Sequence, residues 1–284
     1  MTGRSTTFEN YSLIAFYENK TQAILRRYGP GPRVHYHTGL VEDRHIGEAD
    51  AERLRQSLVL SQERLLQYAA KIWQFEMLSG REVLDVGCGL GGGALFLAQE
   101  FGARVTALTI APSHAELVRR FAAEVGVSDL VIPMIGDASE VPGERRFDAA
   151  IAIDSSSSFP RAPWFCRLAM VLRPRGRVLI ADCFLEDRKY EQPFNSHWCA
   201  QIGTLKEYLD AAHAAGFREN TIENLSAEAE RFWSLSLAQI SAEADTSAPE
   251  TISSARIKAS RRTHRLVRDG LASGGLRYLL LALS

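Results

Sequence analysis

Short apolar runs alternate with longer amphipathic segments through the middle of the chain. An apolar run of roughly four to eight residues is typical of a buried strand, and apolar residues three or four positions apart are typical of a helix. We predict strands at 82–86, 104–108, 130–135, 147–153 and 177–181, with helices at 94–101, 112–125 and 163–172. Because parallel strands need crossover connections, this alternation predicts a doubly wound, mostly parallel α/β sheet.

Helical patterns dominate the two ends of the chain. A helix at 8–27 is ended by the Gly-Pro pairs at 29–32, and a long amphipathic helix is predicted at 48–75. We therefore divide the chain into an N-terminal helical cap or lid at 1–80 and a core domain at 81–284. The rest of the core is predicted as a helix at 204–215, a strand at 217–222, a helical insert at 224–272 with a polar link at 242–249, and a last strand at 276–283.

Composition narrows the class of protein. The chain has 284 residues, of which 46% are hydrophobic, and its 33 basic and 34 acidic side chains give a net charge of -1. A charge near zero provides no general attraction for nucleic acid or an anionic membrane, so neither is an expected partner. The four cysteines lack the paired spacing of a zinc site or a disulfide framework, and no apolar segment is long enough to span a bilayer. We expect a cytoplasmic protein.

A glycine-rich loop follows the first predicted strand. The sequence Asp85-Val86-Gly87-Cys88-Gly89 leads through further glycines into a helix. Glycines at such a turn allow backbone N–H groups to approach a ligand closely. Gly87, Gly89 and Gly92 also fit the dinucleotide pattern G-x-G-x-x-G, so the loop alone leaves a dinucleotide and a methyl donor equally open.

Three later features separate these two ligands. A dinucleotide site needs an acid about 20 residues further on for the ribose, and the second strand is followed by Thr109 and Ile110 instead. The third strand is followed by Gly136-Asp137-Ala138, where an acid can accept from an adenine amino group. The segment Leu172-Arg173-Pro174-Arg175-Gly176 leads into the fifth strand.

In this order, the motifs from Val83 to Ala181 resemble those of class I S-adenosylmethionine-dependent methyltransferases. The resemblance implies a Rossmann-like sheet of seven strands with a reversed last strand, and S-adenosyl-L-methionine as the cofactor. It also implies a set of cofactor-binding residues, namely Asp85, Gly87, Cys88, Gly89, Thr109, Ile110, His114, Asp137 and Ala138.

The second strand departs from the usual family pattern. Most relatives carry an acid there for the ribose hydroxyls, and this chain carries Thr109. Cyclopropane-synthase-like and prenyl diphosphate C-methyltransferases are similar in using the pattern T-L-S-x-x-Q, and His114 stands in the glutamine position. Two interpretations stay open for His114: it donates a hydrogen bond to a ribose hydroxyl, or it is exposed on the first turn of a helix.

Candidate residues for the methyl acceptor lie in three segments. Asp154 follows the fourth strand, where ligands of parallel sheets bind, although it is also placed to cap the next helix. In prenyl diphosphate C-methyltransferases, which this segment resembles, a glutamate lies over the reacting alkene. His35 and His37 belong to a segment that resembles the lid of terpenoid C-methyltransferases, where either is a candidate general base. Trp198 lies where that group places aromatic side chains facing the substrate.

The helical insert offers an apolar and a basic face. By resemblance to tocopherol and prenyl C-methyltransferases, we expect Phe232, Trp233 and Leu235 to face the acceptor. The basic residues of the insert are Arg256, Lys258, Arg261, Arg262, Arg265 and Arg268. They could bind a diphosphate, or they could form a solvated face or a subunit contact. We favour the solvated face or subunit contact. No metal is expected, because Asp182-Cys183 replaces the Asp-Asn pair of Mg²⁺-dependent catechol O-methyltransferases.

The resemblance implies a methyltransferase acting on a small hydrophobic natural product. The preferred reaction is C-methylation of an isoprenoid alkene through a carbocation, with cyclisation as a further step in the manner of teleocidin-type indole-terpenoid C-methyltransferases. An O- or N-methyltransferase with a histidine base and a non-catalytic cofactor-binding protein stay open as alternatives. The N-terminal helix is a candidate contact between subunits of a homo-oligomer.

Overall fold

A computed structural model describes residues 5–42, 50–246 and 254–284. The predicted start of the second helix at Glu48 and the end of the polar link lie outside the described residues. The helices are α1 (Ser5–Tyr28), α2 (Ala51–Trp73), α3 (Gly92–Phe101), α4 (Pro112–Glu124), α5 (Arg161–Val171), α6 (Glu191–Trp198), α7 (Leu205–Ala214), α8 (Ser226–Thr246) and α9 (Ser254–Ala272). The strands are β1 (Glu82–Val86), β2 (Arg104–Thr109), β3 (Val131–Ile135), β4 (Phe147–Ile153), β5 (Leu172–Leu185), β6 (Glu219–Asn224) and β7 (Leu276–Leu283).

The strands form one sheet in the order β3-β2-β1-β4-β5-β7-β6. Strands β1 to β5 pair in parallel, and β7 is antiparallel to both of its neighbours. The expected seven-stranded, mostly parallel sheet with a reversed last strand is therefore confirmed. The strand order reverses between β1 and β4, and a crevice forms at the carboxyl ends of the strands at such a point.

Helices cover both faces of this sheet. Successive strand residues point to opposite faces, so the fully buried Val83 and Leu84 belong to different hydrophobic clusters. The cluster around Val83 also contains Trp73 from the end of α2, which means that this helix shares a core with the sheet. Among the described residues, no helix is long and apolar enough to cross a bilayer.

Two elements differ from the prediction. Strand β5 begins at Leu172, whereas we predicted the strand from residue 177. The β4–β5 pairing shifts register between Phe147 and Ala149, and the extra residues of β5 bulge there. Arg175 adopts a φ of 65° within this bulge. Helix α6 was missed because its only buried residue is Phe194, so the segment has no apolar period.

Candidate active site

A cavity of about 720 Å³ lies at the carboxyl ends of the parallel strands. Its walls come from α1, from the lid segment at 36–38, and from the residues that follow β1 to β5. Helices α6, α8 and α9 form its roof. One cavity therefore joins the glycine loop, the ends of β4 and β5, and the helical insert.

The glycine loop lines one end of the cavity. Gly87 has a φ of 77°, and a Cβ there would lie 2.6 Å from Cβ of Ser155, too close for any side chain. The Ser155 hydroxyl donates to the carbonyl oxygen of Val86 at 2.6 Å and so ties the end of β4 to the end of β1. Gly89, at a φ of 53°, also lines the cavity and has no atom within 4 Å of an added Cβ. The loop is a backbone cradle that fits the methionine part of the cofactor.

Asp85 and Cys88 lie behind this loop. Both side chains are buried, and neither lines the large cavity. Burial raises the pKa of Asp85 to about 7, and a hydrogen bond from the backbone N–H of Ala94 opposes that shift. Asp85 was expected to line the methionine site and Cys88 to bind the cofactor, but neither side chain is in the cavity wall. Asp85 holds the loop against the start of α3.

The opposite end of the cofactor region contains the residues after β2 and β3. Asp137 and Ala138 line the cavity, and Asp137 Oδ1 accepts from the backbone N–H of Ser139 at 2.7 Å. Thr109 and Ile110 also line it, and Thr109 Oγ1 accepts from the backbone N–H of Ala111 at 3.2 Å. A carboxylate at one end and an open glycine backbone at the other fit S-adenosylmethionine.

His114 is buried and lines the cavity beside Thr109 and Ile110, so it is not exposed on its helix turn. The Thr21 hydroxyl donates to the Tyr17 carbonyl at 3.0 Å, and the same oxygen lies 3.0 Å from Nε2 of His114. A hydroxyl has one proton, so His114 Nε2–H donates to Thr21 and Nδ1 carries the free lone pair. Burial lowers the pKa of His114 to about 4, which keeps the ring neutral. With this proton position His114 can accept a hydrogen bond through Nδ1, whereas donation to a ribose hydroxyl needs the other tautomer.

Asp154 joins the sheet to the lid. It has a φ of 48°, and its carboxylate accepts from the backbone N–H of Thr38 and, at 2.8 Å, from the Tyr278 hydroxyl. Burial raises the pKa of Asp154. Because both partners come from distant elements, the carboxyl group does not cap the following helix. It lines the cavity, as expected for a residue facing the acceptor.

A second carboxyl group, Asp182 at the end of β5, lines the same wall. It accepts from Ser156 Oγ at 2.7 Å and from the backbone N–H groups of Ser157 and Cys183. Burial and the negative charge of Asp154 raise the pKa of Asp182 to about 7. We considered this residue only as a metal ligand, although an acid at the end of a central strand is the same signal that identified Asp154.

The two lid histidines have different surroundings. His35 is buried away from the cavity, with Nε2 2.7 Å from Glu63, so it is not placed to act as a base on an acceptor. His37 lines the cavity, and its Nδ1–H donates to the Thr38 carbonyl at 2.7 Å. Its Nε2 is buried and has no hydrogen-bond partner. Burial lowers the pKa of His37 to about 3.

Aromatic side chains form the acceptor end of the cavity. Trp198 packs against Phe194 and Trp233, at ring separations of 4.5 and 6.0 Å. Phe232 and Trp233 line the cavity as expected, whereas Leu235 does not line it and packs with Leu54, Leu58 and Phe232. The other aromatic lining residues are Tyr17, Tyr28, Tyr36, Phe159 and Phe194.

The basic side chains of α9 turn away from this cavity. Lys258, Arg262 and Arg265 are exposed, and neither they nor Arg261 and Arg268 line it. The side chain of Arg256 lies outside the described residues. A solvated face therefore fits these residues better than a diphosphate site within the cavity.

Comparison with known proteins identifies the type of domain. The methyltransferase domain family matches residues 83–176. A probable chloroplastic tocopherol O-methyltransferase of Oryza sativa subsp. japonica is 34% identical over 134 residues, which are 46% of this chain and 36% of that protein. A geranyl diphosphate 2-C-methyltransferase of Streptomyces lasalocidi is 29% identical over 164 residues, 55% of this chain and 54% of the relative. This chain thus spans about a third to a half of the relatives' length.

The fold match extends much further than the sequence match. The crystal structure of a geranyl diphosphate C-methyltransferase from Streptomyces coelicolor A3(2), in complex with Mg²⁺, geranyl-S-thiolodiphosphate and S-adenosyl-L-homocysteine, superposes with a TM-score of 0.81. The superposition covers 97% of each chain at 18% identity. Residues 83–176 therefore form a methyltransferase domain, and the whole chain has the fold of the class I S-adenosylmethionine-dependent methyltransferases.

Proposed function

We propose that this protein transfers the methyl group of S-adenosylmethionine to a carbon atom of an isoprenoid chain in a small hydrophobic acceptor. The observation that carries the proposal is the single cavity in which the glycine loop and the aromatic side chains of α6 and α8 are both exposed. When bound, the cofactor supplies an electrophilic methyl group on a sulfonium. The loop at Gly87 and Gly89 would hold its methionine part, and Asp137 its adenine.

The aromatic end of the cavity suits a hydrocarbon acceptor. Methylation of an alkene carbon leaves a positive charge on the neighbouring carbon of the acceptor. Aromatic faces stabilise a cation through their quadrupole, and Trp198 and Trp233 present the largest such faces here. The mostly apolar lining also disfavours water that would otherwise quench the cation.

The carboxyl pair near the ends of β4 and β5 would supply a negative charge to stabilise the acceptor cation and a base to remove a proton from it. Asp154 and Asp182 line the same wall, and burial raises the pKa of each. The negative charge of Asp154 is one cause of the raised pKa of Asp182, so the ionisation of one carboxyl group affects that of the other. Asp154 would stabilise the cation on the acceptor. It would then remove a proton from a carbon adjacent to the cationic carbon, and the loss of this proton would restore a double bond.

The histidine-base alternative has weaker support in the geometry. Methylation of an oxygen or nitrogen acceptor needs a base within reach of its proton. His35 is not in the cavity wall, and the free Nε2 of His37 is enclosed. The carboxyl pair and the aromatic wall therefore favour carbon as the accepting atom.

Mass spectrometry with a panel of acceptors tests the proposal. The protein is incubated with S-adenosylmethionine and prenylated indoles or prenyl diphosphates, and the expected product carries one extra methyl group on an isoprenoid carbon. Fragmentation locates the methyl group. Transfer to oxygen or nitrogen would replace the proposal by the alternative, and no methylation of any isoprenoid would contradict it.

A further inference from the structure

Two histidines in the roof of the cavity have no part in the reaction described above. His197 from α6 and His264 from α9 both line the cavity. They lie in one patch with two tryptophans: ring separations are 4.6 Å for His197 and Trp198, and 5.0 Å for Trp233 and His264. A pair of polar rings inside an aromatic wall is placed to orient a polar group of the acceptor.

A neighbouring hydroxyl sets the proton position of His197. Thr263 Oγ1 donates to the carbonyl oxygen of Ala259 at 3.2 Å, and the same oxygen lies 3.0 Å from Nδ1 of His197. Because the single threonine proton is already donated, Nδ1–H of His197 must donate to Thr263. The lone pair of His197 is then on Nε2, which is not among the buried, unpartnered atoms of the described residues. His197 presents a hydrogen-bond acceptor to the cavity.

The opposite arrangement holds at His264. The guanidinium of Arg27 donates to both the carbonyl oxygen and the hydroxyl of Ser236, the latter at 2.8 Å. Ser236 Oγ lies 3.0 Å from Nδ1 of His264 and, since arginine only donates, its own proton is available for that nitrogen. With Ser236 as the donor to Nδ1, the proton of His264 is on Nε2, which is likewise not among the buried, unpartnered atoms of the described residues. His264 presents a donor.

Both rings are neutral near physiological pH. Burial and then the positive charge of Lys20 lower the pKa of His197 to about 4. Burial and then the charges of Arg27, His197 and Lys20 lower the pKa of His264. The described lining residues include four carboxyl groups, namely Asp137, Glu140, Asp154 and Asp182, and no lysine or arginine. An anionic acceptor would therefore find no lysine or arginine in the cavity wall to bind its charge directly.

We propose that His197 and His264 form a donor–acceptor pair that binds an uncharged hydroxyl or secondary amide of the methyl acceptor. Such a group donates to Nε2 of His197 and accepts from Nε2–H of His264. The proposal rests on the proposed function for the identity of the cavity, and it implies that a diphosphate is not the preferred head group of the acceptor. The two histidines act as specificity-determining residues at the end of the acceptor away from its reacting alkene.

Calorimetry with four geranyl probes tests this binding role, with S-adenosylhomocysteine present. We expect geraniol and N-geranylacetamide to bind about tenfold more tightly than geranyl methyl ether, which lacks a donor, and than geranyl diphosphate. His197→Leu and His264→Phe each abolish that preference. His213→Gln, at an exposed histidine paired with Glu219 outside the cavity, leaves it unchanged.

A second measurement keeps the inference testable if the roof variants fold poorly. In the wild-type protein, ¹⁵N chemical shifts of the imidazoles should show an Nδ1–H tautomer at His197 and an Nε2–H tautomer at His264. Tighter binding of geranyl diphosphate, or a preference that survives both histidine variants, would overturn the inference. Because the readout is binding, an absence of methyl transfer would contradict the proposed function and leave the roof pair standing.

Discussion

The two ends of the cavity are built in different ways. The cofactor end is formed by backbone and short side chains from consecutive strand ends, between Gly87 and Ala138. The acceptor end collects side chains from α1, the lid, β4, β5, α6, α8 and α9, from Tyr17 to His264. The first is fixed by local backbone geometry, and the second depends on how distant elements pack. We therefore expect changes at the cofactor end to act on binding of the methyl donor, and changes at the acceptor end to act on turnover.

The largest effect is expected at Gly87. Gly87→Ala places a Cβ 2.6 Å from Cβ of Ser155 in a left-handed backbone conformation, so the loop must move. Calorimetry should show at least about 100-fold weaker binding of S-adenosylhomocysteine, because a shift of about 1 Å breaks several backbone contacts at once. Gly80→Ala is the matched control, since Gly80 has a φ of 66° and no atom within 4 Å of an added Cβ. If Gly80→Ala weakened binding of S-adenosylhomocysteine as much as Gly87→Ala, backbone strain alone, and not the contact with Ser155, would explain the loss.

The local character of the cofactor end explains why so much of it was predictable from sequence. Strands β1, β4 and β7 were predicted with the bounds that the structure has, and the loop at Gly87 and the acid at Asp137 line the cavity as expected. Each of these signals lies within a few residues of a strand end. A glycine pattern and an apolar run report on backbone geometry, which neighbouring residues largely determine.

The acceptor end was only partly predictable, because its contacts join residues far apart in the chain. Asp154 was identified from its place after β4, but its partner Tyr278 lies 124 positions away. The roles of His197 and His264 depend on hydroxyls of Thr263 and Ser236, and no spacing in the sequence indicates that pairing. His35 and His37 looked equivalent in sequence, and only packing separates them: one binds Glu63 and the other lines the cavity.

The second prediction concerns Asp154. Asp154→Asn keeps an oxygen for the Thr38 N–H group and removes the negative charge, so turnover with the accepted isoprenoid should fall about 100-fold, as for loss of one fixed electrostatic group. Binding of S-adenosylhomocysteine should change by less than about threefold, because the carboxyl group is at the acceptor end. Asp148→Asn, at the other end of β4 and paired with Arg173, is the control. If Asp154→Asn weakened cofactor binding as much as it slowed turnover, the two ends of the cavity would not act separately.

The third prediction is a pH dependence of stability. The pKa of Asp182 is raised from 3.8 to about 7, so its protonated form favours the folded state below pH 4, and this contribution is lost as the pH rises through about 7. Asp182→Asn cannot ionise. Its free energy of unfolding, relative to the wild type, should therefore rise by about 1–3 kcal/mol between about pH 5 and pH 8, as urea denaturation would show. Asp210→Asn, on the exposed face of α7, should give no such trend. A pH-independent difference at Asp182 would mean that the carboxyl titrates normally.

The smallest effect is expected at His114, where the cofactor end depends on a contact from the N-terminal helix. His114→Leu removes the Nδ1 acceptor and should weaken binding of S-adenosylhomocysteine about tenfold, the size of one hydrogen bond to a buried group. His114→Gln should stay within about threefold of wild type, because the amide oxygen is also an acceptor.

Thr21→Val tests the origin of that geometry without changing the wall of the cavity. Valine cannot accept from His114 Nε2–H, so the ring loses the bond that selects its tautomer. The ¹⁵N shifts of His114 should show the Nε2–H form in the wild type and a mixture in the variant, with an intermediate loss of binding. An Nδ1–H form in the wild type would instead make Thr21 the donor and His114 a donor to the ribose. With either tautomer, Thr21 of α1 would determine how His114 contacts the cofactor. The cofactor end therefore depends on a distant helix as well as on the local geometry of the glycine loop.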